Sequence, residues 1–309
     1  GTESNNLAVR GLAEASRQHG NHIITSAIEH SAVRNVCEDL EMRGFQVTYL
    51  PVYEDGIVRI EDVKAAIRDD TILISIMTAN NEIGTLQPVG EIGRLVRGLR
   101  DDGRKIRFHT DAVQAAGKVL VDVEAIACDL LSISGHKIYA PKGVGALYVR
   151  RGTRRQERGI RGGTESVPNI VALGKATEMA KVSLEAESVR LRELLLKFEG
   201  EISERVPEIV FNGDRERRLP NISNVSFRGI EGEGLLINLD MYGIAVSTGS
   251  ACSSGSIEPS PVIRALGHGD DLARSSIRFS FGSQNTAEDV DRVLEVIPTA
   301  VETIRSLSK

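Results

Sequence analysis

The sequence predicts an α/β protein with a large domain, built on a mostly parallel sheet with helices on both faces, and a smaller α+β domain at the carboxyl end. Three observations indicate this fold. Apolar strand-length runs alternate with amphipathic helix-length segments between residues 22 and 113, a succession typical of parallel sheets. The 309 residues suffice for about two domains. Of these residues 41% are hydrophobic and no apolar run is long enough to span a membrane, so we expect a soluble chain with an ample core.

The large domain is predicted to cover residues 1–185. It opens on a polar loop, residues 1–6 (Gly-Thr-Glu-Ser-Asn-Asn), and a helix starts near Glu3 because Leu7 and Val9 begin a helical apolar spacing. Such a start is usually only a capped helix, but its N–H groups and dipole also attract anions. Further apolar runs predict strands at 22–25, 45–50 and 71–77 and one ending at Asp111, and amphipathic spacing predicts helices at 31–43, 61–68 and 89–100.

Two apolar runs between Leu130 and Val149 enclose a short polar turn that carries Lys137. The runs are predicted to be buried strands, so the lysine lies where the chain leaves the core. A partly desolvated amine has a lowered pKa and is neutral part of the time, and a neutral amine attacks a carbonyl to form a Schiff base. The alternative is a solvated lysine that extends out of a hairpin, since most lysines are exposed.

A second polar side chain, Asp111, ends the preceding apolar strand, and Gln114 follows it. Enzymes that use pyridoxal phosphate need a lysine for the Schiff base and a carboxylate against the pyridinium nitrogen, which keeps the ring an electron sink. The pairs Asp111-x-x-Gln114 and Ser134-x-x-Lys137 supply both groups at the ends of consecutive strands. In that arrangement Gln114 is placed to donate to the phenolic oxygen of the cofactor.

The runs 109–114 (His-Thr-Asp-Ala-Val-Gln) and 134–143 (Ser-Gly-His-Lys-Ile-Tyr-Ala-Pro-Lys-Gly) resemble the class V aminotransferase superfamily of fold-type I pyridoxal phosphate enzymes, and in particular its cysteine desulfurases. The resemblance extends over nearly the whole chain. It implies that the opening loop binds the cofactor phosphate through Thr2, together with Ser134 and His136. Members of the family carry several tens of residues before this loop, so the resemblance also implies a longer natural chain.

Two polar residues that follow predicted strands gain roles from the resemblance. His30 precedes a helix, where a capping or surface histidine is usual. The resemblance makes it the histidine that stacks on the cofactor ring and shuttles protons at the substrate α-carbon. Asn81, in the run Asn-Asn-Glu-Ile-Gly at 80–84, is by its residue type a turn former. It resembles the asparagine that contacts the cofactor phenolate or the substrate carboxylate.

A basic, glycine-rich run follows the lysine hairpin at 150–164 and is typical of a solvated loop. The family places further residues, including a glycine-rich stretch, before the position of Gln156. We therefore expect residues to be missing between Arg155 and Gln156. In the family, the threonine that matches Thr164 reaches across a dimer interface to the cofactor phosphate of the second copy, so the resemblance implies a homodimer.

The smaller domain, residues 186–309, follows one or two long amphipathic helices between 167 and 199. Arg278, near its end, alternates with apolar neighbours and either faces solvent or, as the resemblance implies, binds the substrate carboxylate bidentately. The predicted strands of this domain are 208–211, 222–227, 244–247 and 276–281, and its predicted helices are 232–242, 260–266 and 287–306.

The three cysteines of the chain lack metal-ligand spacing, so we expect no metal site and no disulfide framework, and a reducing cytoplasm is the default. Cys37 and Cys128 have apolar helical neighbours and are predicted to lie in the core. Cys252 stands in Ser-Thr-Gly-Ser-Ala-Cys-Ser-Ser-Gly-Ser, residues 247–256, where small neighbours indicate exposure. This run is either a serine-rich linker or, by its resemblance to the longer-loop desulfurases of iron-sulfur assembly, the loop of a nucleophilic cysteine.

Together these residues predict a pyridoxal phosphate-dependent cysteine desulfurase that converts L-cysteine to L-alanine. It would leave a persulfide on Cys252 and pass the sulfur to an iron-sulfur scaffold or another acceptor protein. An aminotransferase or a selenocysteine lyase would also need Lys137 and Asp111, but neither explains the serine-rich run. A catalytically silent scaffold homologue is a further alternative. The presence of Lys137, Asp111 and Cys252 together argues against it. The net charge of -5 argues against a general nucleic-acid binder.

Overall fold

The structure is a computed structural model that describes residues 1–153, 163–249 and 259–307. The junction of Arg155 and Gln156, where we expected further residues, lies outside the described residues, and so does Cys252. The chain divides into two compact units, the first of which ends within a long helix. Unit 1 comprises Gly1–Val52, Val58–Asn80 and Leu86–Leu184, and unit 2 comprises Tyr53–Ile57, Asn81–Thr85 and Glu185–Lys309.

Unit 1 is built around a six-stranded sheet. Its strands are β1 (His22–Ser26), β2 (Gln46–Leu50), β3 (Thr71–Ser75), β4 (Arg107–Asp111), β5 (Leu130–Ser134) and β6 (Gly145–Val149). They are ordered β2-β1-β3-β4-β5-β6, with β1 to β5 parallel and β6 antiparallel to β5. The predicted α/β fold with a mostly parallel sheet is confirmed. The carboxyl ends of the parallel strands meet at one edge, which is where ligands bind in such sheets.

The helices of unit 1 pack apolar stripes against this sheet, as the helical spacing predicts. They are α1 (Thr2–Ser16), α2 (Ser31–Met42), α3 (Ile60–Ala66), α4 (Val89–Asp101), α5 (Val123–Ile126) and the first part of α6 (Val167–Arg205). One core cluster contains Ala8, Val9, Leu12 and Ala13 of α1, Val33, Val36, Cys37 and Leu40 of α2, and Ile23, Ile72, Leu73 and Leu130 of the strands. Cys37 is thus a core residue as predicted, and Cys128 is buried too.

The edge strand β6 differs from the prediction of a buried strand. Its residues are half-buried or exposed, because β6 ends the sheet and has a neighbouring strand on one flank. The turn that leads to it contains a 3₁₀ segment, Gly135–Ile138. His136, Lys137 and Tyr139 of this turn are exposed, whereas the apolar runs on either side predicted that the turn would lie close to the core.

Unit 2 contains a three-stranded antiparallel sheet. Its strands, in spatial order, are β7 (Ile209–Phe211), β8 (Ile222–Phe227) and β9 (Ser276–Ser280), and its helices are the second part of α6, α7 (Gly232–Met241), α8 (Pro261–Ala265), α9 (Asp270–Arg274) and α10 (Ala287–Leu307). The ring of Phe198 on α6 lies 4.5 Å from that of Phe279 and 5.9 Å from that of Phe281, at the centre of the core. Across the residues described in both units, no helix is long and apolar enough to cross a membrane.

The predicted strand at 244–247 is wrong. Ile244 instead closes the end of α7, since its N–H donates to the carbonyl of Leu239 at 3.0 Å. Ser247 forms an isolated bridge with Arg278 of β9. The apolar run at 244–247 therefore does not form a strand, because the N–H of its first residue is hydrogen-bonded to a carbonyl of α7.

Candidate active site

Asp111, the last residue of β4, is buried and hydrogen-bonded through both carboxyl oxygens. Asn5 Nδ2 donates to Oδ2 at 2.6 Å, and the Val113 N–H donates to Oδ1 at 2.9 Å. Burial raises the pKa of Asp111, whereas the two N–H donors favour its charged form. A cationic group placed beside this carboxyl would favour the charged form further, so Asp111 suits a protonated ring nitrogen.

The start of α1 lies against the end of β5. A Cβ added to Gly1 would come within 3.3 Å of the Ser134 Cβ and 3.1 Å of the Val113 Cγ2. The first intrahelical bond, from the Asn5 N–H to the Gly1 carbonyl at 2.9 Å, leaves the preceding N–H groups without a partner inside the helix. These groups and the positive end of the helix dipole favour a bound anion.

Ser134 and His136 add side-chain groups to this end of β5. Ser134 Oγ and His136 Nδ1 are 2.9 Å apart and share a hydrogen bond. Burial, helped by the charge of Lys137, lowers the pKa of His136. Thr2, also predicted to bind the phosphate, is exposed at the first position of α1. Backbone N–H groups, hydroxyls and an imidazole form a donor set that suits a phosphate.

Lys137 lies in the 3₁₀ turn directly after β5 and is exposed. The prediction of a partly desolvated lysine is therefore wrong for unit 1 as described, because the turn that carries Lys137 lies at the surface, as connections between strands usually do. The lysine is nevertheless close enough to His30 for its charge to act on that imidazole. Lys137 thus lies at the carboxyl end of β5, at the edge of the sheet where ligands bind in such folds.

His30 caps α2 and also belongs to the electrostatic neighbourhood of Asp111 and Lys137. Its Nδ1 accepts from the Ala32 N–H at 3.1 Å. Burial lowers the pKa of His30, with the charge of Asp111 opposing this shift and that of Lys137 adding to it. The imidazole is therefore neutral at neutral pH. Because Nδ1 accepts, the proton of the neutral ring lies on Nε2.

Gln114 and Thr164 also lie in unit 1. Gln114 is half-buried in the turn that follows β4, where the Ala115 N–H donates to the Ala112 carbonyl at 3.1 Å. Thr164 is exposed shortly before α6. Their contacts with a cofactor, and for Thr164 with a second copy of the chain, stay predictions.

Within unit 2 the structure brings together Asn81 and Arg278, the two residues predicted to bind the substrate carboxylate. A terminal guanidinium nitrogen of Arg278 donates to the Asn81 carbonyl at 3.0 Å. Arg278 is half-buried, and its Nε is buried without a hydrogen-bond partner among the described residues. Arg278 is therefore not the fully solvent-facing strand residue that was the alternative prediction.

Two buried residues near Asp111 and His30 received no role from the sequence. Asn5 holds Asp111, and its position one helical turn after Gly1 was the available signal. Glu29 accepts from Ser26 Oγ at 2.7 Å and from the Met77 N–H at 2.8 Å. Burial raises the pKa of Glu29 to about 8, and an acidic residue three positions after the apolar strand β1 was the signal for it.

Comparisons with known proteins agree on one family. Residues 1–293 match the family described as aminotransferase class-V. The chain is 49% identical over 318 residues to cysteine desulfurase IscS of Clostridium botulinum strain Hall, covering 100% of this chain and 79% of that protein. It is 51% identical over 319 residues to cysteine desulfurase IscS of Methanosarcina thermophila, covering 100% and 77%. A solved NifS-like protein superposes with a TM-score of 0.89 at 36% identity, covering 98% of this chain and 80% of that one.

Proposed function

The chain belongs to the class V aminotransferase family, and from this membership we infer that it is a pyridoxal phosphate-dependent cysteine desulfurase. The reaction converts L-cysteine and an enzyme thiol to L-alanine and an enzyme persulfide. One observation carries the inference: identity of 49% and 51%, over the whole chain, with two proteins named cysteine desulfurase. The groups in unit 1 are those that the cofactor of such an enzyme requires.

Pyridoxal phosphate fits the residues at the carboxyl edge of the sheet. The start of α1, Ser134 and His136 present donors to a phosphate, and Asp111 presents a buried carboxylate to a cationic ring nitrogen. Asn5 supports the fit, since its Oδ1 is buried without a hydrogen-bond partner among the described residues, as expected beside a site for a ligand. When bound, the cofactor supplies an electron sink for negative charge at the substrate α-carbon.

The side chains of unit 1 then divide the work of proton transfer and orientation. Lys137 would hold the cofactor through its amine, and the same amine would move a proton at the substrate α-carbon. His30, neutral and capping α2, would lie against the cofactor ring and assist this proton transfer from Nε2. Gln114 would donate to the phenolic oxygen, and Asp111 would keep the ring nitrogen protonated.

The substrate carboxylate is bound in unit 2 by Arg278 with the help of Asn81. The Asn81 carbonyl orients the guanidinium through the 3.0 Å hydrogen bond. In the part of the chain that the structure describes, the buried Nε has no hydrogen-bond acceptor, as expected for a group that binds an anion. An arginine held in one orientation recognises a carboxylate bidentately at a smaller entropic cost than a mobile lysine.

Cys252 takes the sulfur. Its thiolate attacks the substrate sulfur, the bond between that sulfur and the β-carbon breaks, and the electron pair stays with carbon, which then acquires a proton. The products are L-alanine and a persulfide on Cys252, so atoms and electrons balance without an added oxidant. The persulfide passes to an iron-sulfur scaffold or another acceptor protein.

The enzyme acts as a homodimer. Val167, Ile170 and Val171 form an apolar stripe at the start of α6, each at least half exposed (60%, 50% and 65%). A second copy is the partner proposed for this stripe, because Thr164 precedes it and in the family reaches the cofactor phosphate of the other copy. Replacing Ile170 and Val171 with aspartate is expected to yield monomers in sedimentation experiments, whereas unchanged dimers would reject this interface.

The enzyme works in the cytoplasm, where its described cysteines keep their reduced form. Cys37 and Cys128 are free thiols, as is usual in a reducing compartment.

The function is tested by adding L-cysteine to the cofactor-loaded protein and measuring alanine and sulfide together, with a thiol reductant to release the persulfide. Equal amounts of the two products are expected. Amino transfer to a keto acid without sulfide would identify an aminotransferase, and turnover of L-selenocysteine alone would identify a selenocysteine lyase. No turnover by protein that binds the cofactor would identify a silent homologue.

A further inference from the structure

Glu82 is a buried carboxyl in unit 2 that the proposed reaction does not use. It belongs to the segment Asn81–Thr85 and is 6% exposed. Its Oε2 accepts a hydrogen bond from Ser260 Oγ at 2.6 Å. Burial raises the pKa of Glu82 to about 7, although Ser260 and the charge of Arg278 oppose the shift. A buried acid retained at this position calls for a structural or functional reason.

The same carboxyl contacts the chain at Gly249. A Cβ added to Gly249 would collide with Glu82 Oε2 and would lie 3.2 Å from the Ser260 Cβ. Gly249 has no left-handed φ that would by itself demand glycine. Glycine is therefore required here by the close approach of the carboxyl, and Gly249 and Ser260 lie against one another.

Both sides of this contact are firmly placed. Ser260 is 2% exposed and caps α8, where its Oγ accepts from the Ile263 N–H at 3.3 Å while donating to Glu82. The Glu82 carbonyl accepts from Asn224 Nδ2 of β8 at 3.2 Å. On the other side, Ser247 exchanges backbone hydrogen bonds with Arg278 of β9 at 2.7 and 3.2 Å. Glu82 thus joins parts of the chain that β8, β9 and α8 hold in place.

Gly249 and Ser260 are also the residues on either side of the run that contains Cys252. We propose that Glu82 is a positioning residue for sulfur transfer: its carboxyl holds Gly249 and Ser260 together and so anchors both ends of the run that carries Cys252. The proposal rests on the proposed function, in which Cys252 is the sulfur nucleophile. When both ends of this run are anchored, the thiol explores a smaller volume, and its effective concentration near the substrate is higher.

Four variants of the full holoenzyme test this role. Glu82→Ala removes the anchor, Gly249→Ala forces the carboxyl and the backbone apart, and Glu82→Gln keeps an acceptor for Ser260. Glu302→Ala, on the exposed face of α10 in the same unit, is the matched control. Three quantities are measured: alanine formed from L-cysteine, exchange of the α-proton of L-alanine with deuterated water, and hydrogen exchange of the backbone at 244–249 and 259–266.

Glu82→Ala and Gly249→Ala are expected to lower kcat for alanine formation by about a hundredfold, as for a misplaced catalytic group. Exchange of the α-proton, which needs Lys137 but not Cys252, should stay near the wild-type rate. Within 244–249 and 259–266, backbone exchange should accelerate next to Gly249 and Ser260, where the contact with Glu82 is lost. Glu82→Gln should retain most of the activity, and Glu302→Ala should match the wild type.

The anchoring role is overturned if Glu82→Ala forms alanine at the wild-type rate, or if it loses α-proton exchange in equal measure, because the residue would then act on the cofactor or substrate. It is also overturned if backbone exchange at the two segments is unchanged. A wild-type protein that makes no alanine from L-cysteine would instead refute the proposed function. Backbone exchange needs no substrate and would still decide whether Glu82 holds the two segments.

Discussion

Asn5 Nδ2 lies 2.6 Å from Asp111 Oδ2, although 106 residues separate the two in the chain. The bond ties α1 to the end of β4, and the same helix begins beside Ser134 at the end of β5. One helix thus serves both ends of the proposed cofactor site. In the proposed site its start would face the phosphate, and its next turn holds the carboxylate that would meet the ring nitrogen.

Replacing Asn5 with alanine is expected to weaken cofactor binding about tenfold, since a hydrogen bond to a buried charged group contributes on the order of 1.5 kcal/mol. Loss of this donor also favours the neutral form of Asp111, which cannot balance a protonated ring nitrogen. The measurement is a titration of the apoprotein with pyridoxal phosphate, followed by absorbance. Asn21→Ala, whose amide bonds the Gly44 carbonyl at 3.2 Å far from the site, is the control. Unchanged affinity in Asn5→Ala would show that the bond does not matter for the cofactor.

Replacing Lys137 with alanine is expected to abolish alanine formation and also the visible absorbance of the bound cofactor. Both depend on the amine, which no other side chain of the turn supplies. Absorbance spectra of the purified variant give the readout, and Lys142→Ala, an exposed lysine after the same turn, is the control. A Lys137→Ala protein with a wild-type spectrum would place the Schiff base on another lysine.

Replacing Cys252 with serine should separate sulfur transfer from cofactor chemistry. The cofactor spectrum and L-cysteine binding are expected to survive, because Lys137, Asp111 and Arg278 remain. Alanine formation should fall by several orders of magnitude, since a serine hydroxyl is barely ionised at neutral pH and attacks sulfur poorly. A near-normal rate of alanine production would instead indicate a lyase that releases sulfide directly.

Alkylation with iodoacetamide at pH 8 is expected to modify Cys252 and to spare the other two thiols. Burial raises the pKa of Cys37 to about 12 and that of Cys128 to about 11, so neither forms much thiolate, and both are shielded. Peptide mapping by mass spectrometry identifies the labelled residue, and all three thiols should react in urea. Rapid labelling of Cys37 or Cys128 in the native protein would contradict their place in the core.

The stability of the protein is expected to fall as the pH falls below about 6.5, the pKa of an unfolded histidine. His109 is buried between β3 and β5, with Nδ1 2.8 Å from Ser75 Oγ and Nε2 3.0 Å from Ser132 Oγ, and burial lowers its pKa to about 3. Below pH 6.5 the unfolded chain takes up a proton that the folded chain excludes. The stabilisation is thus complete above pH 6.5 and declines toward pH 3, by about 2 kcal/mol at pH 5 from His109 alone.

Urea unfolding at pH 7.5 and pH 5 measures this loss. His109→Phe should be less stable at pH 7.5, since Ser75 and Ser132 lose a shared partner, but its stability should depend less on pH over this interval. His19→Asn, at an exposed histidine of unit 1, should keep the wild-type dependence. Equal pH dependence in His109→Phe and wild type would assign the effect to other groups.

Local patterns predicted most elements of the fold because each depends on neighbours in the chain. The strand at 222–227 was placed at its observed bounds, and the helix at 31–43 ended one residue from the observed Met42. The failure at 244–247 has a physical reason, since Ile244 had to satisfy a carbonyl of α7. The four-residue α5 was missed because it is too short to show a helical period.

For the candidate site, the sequence by itself determined which groups are available: an amine, a carboxylate, an arginine and a cysteine in a serine-rich run. It also determined that Asp111 and Lys137 follow the ends of strands, which a parallel sheet brings to one edge. Tertiary structure alone decided that Asn5 holds Asp111, that Lys137 is exposed and that Gly249 and Ser260 meet at Glu82. Each of these depends on segments far apart in the chain or on the depth of a turn, because burial and long-range contacts are properties of the packed chain and leave no local period in the sequence.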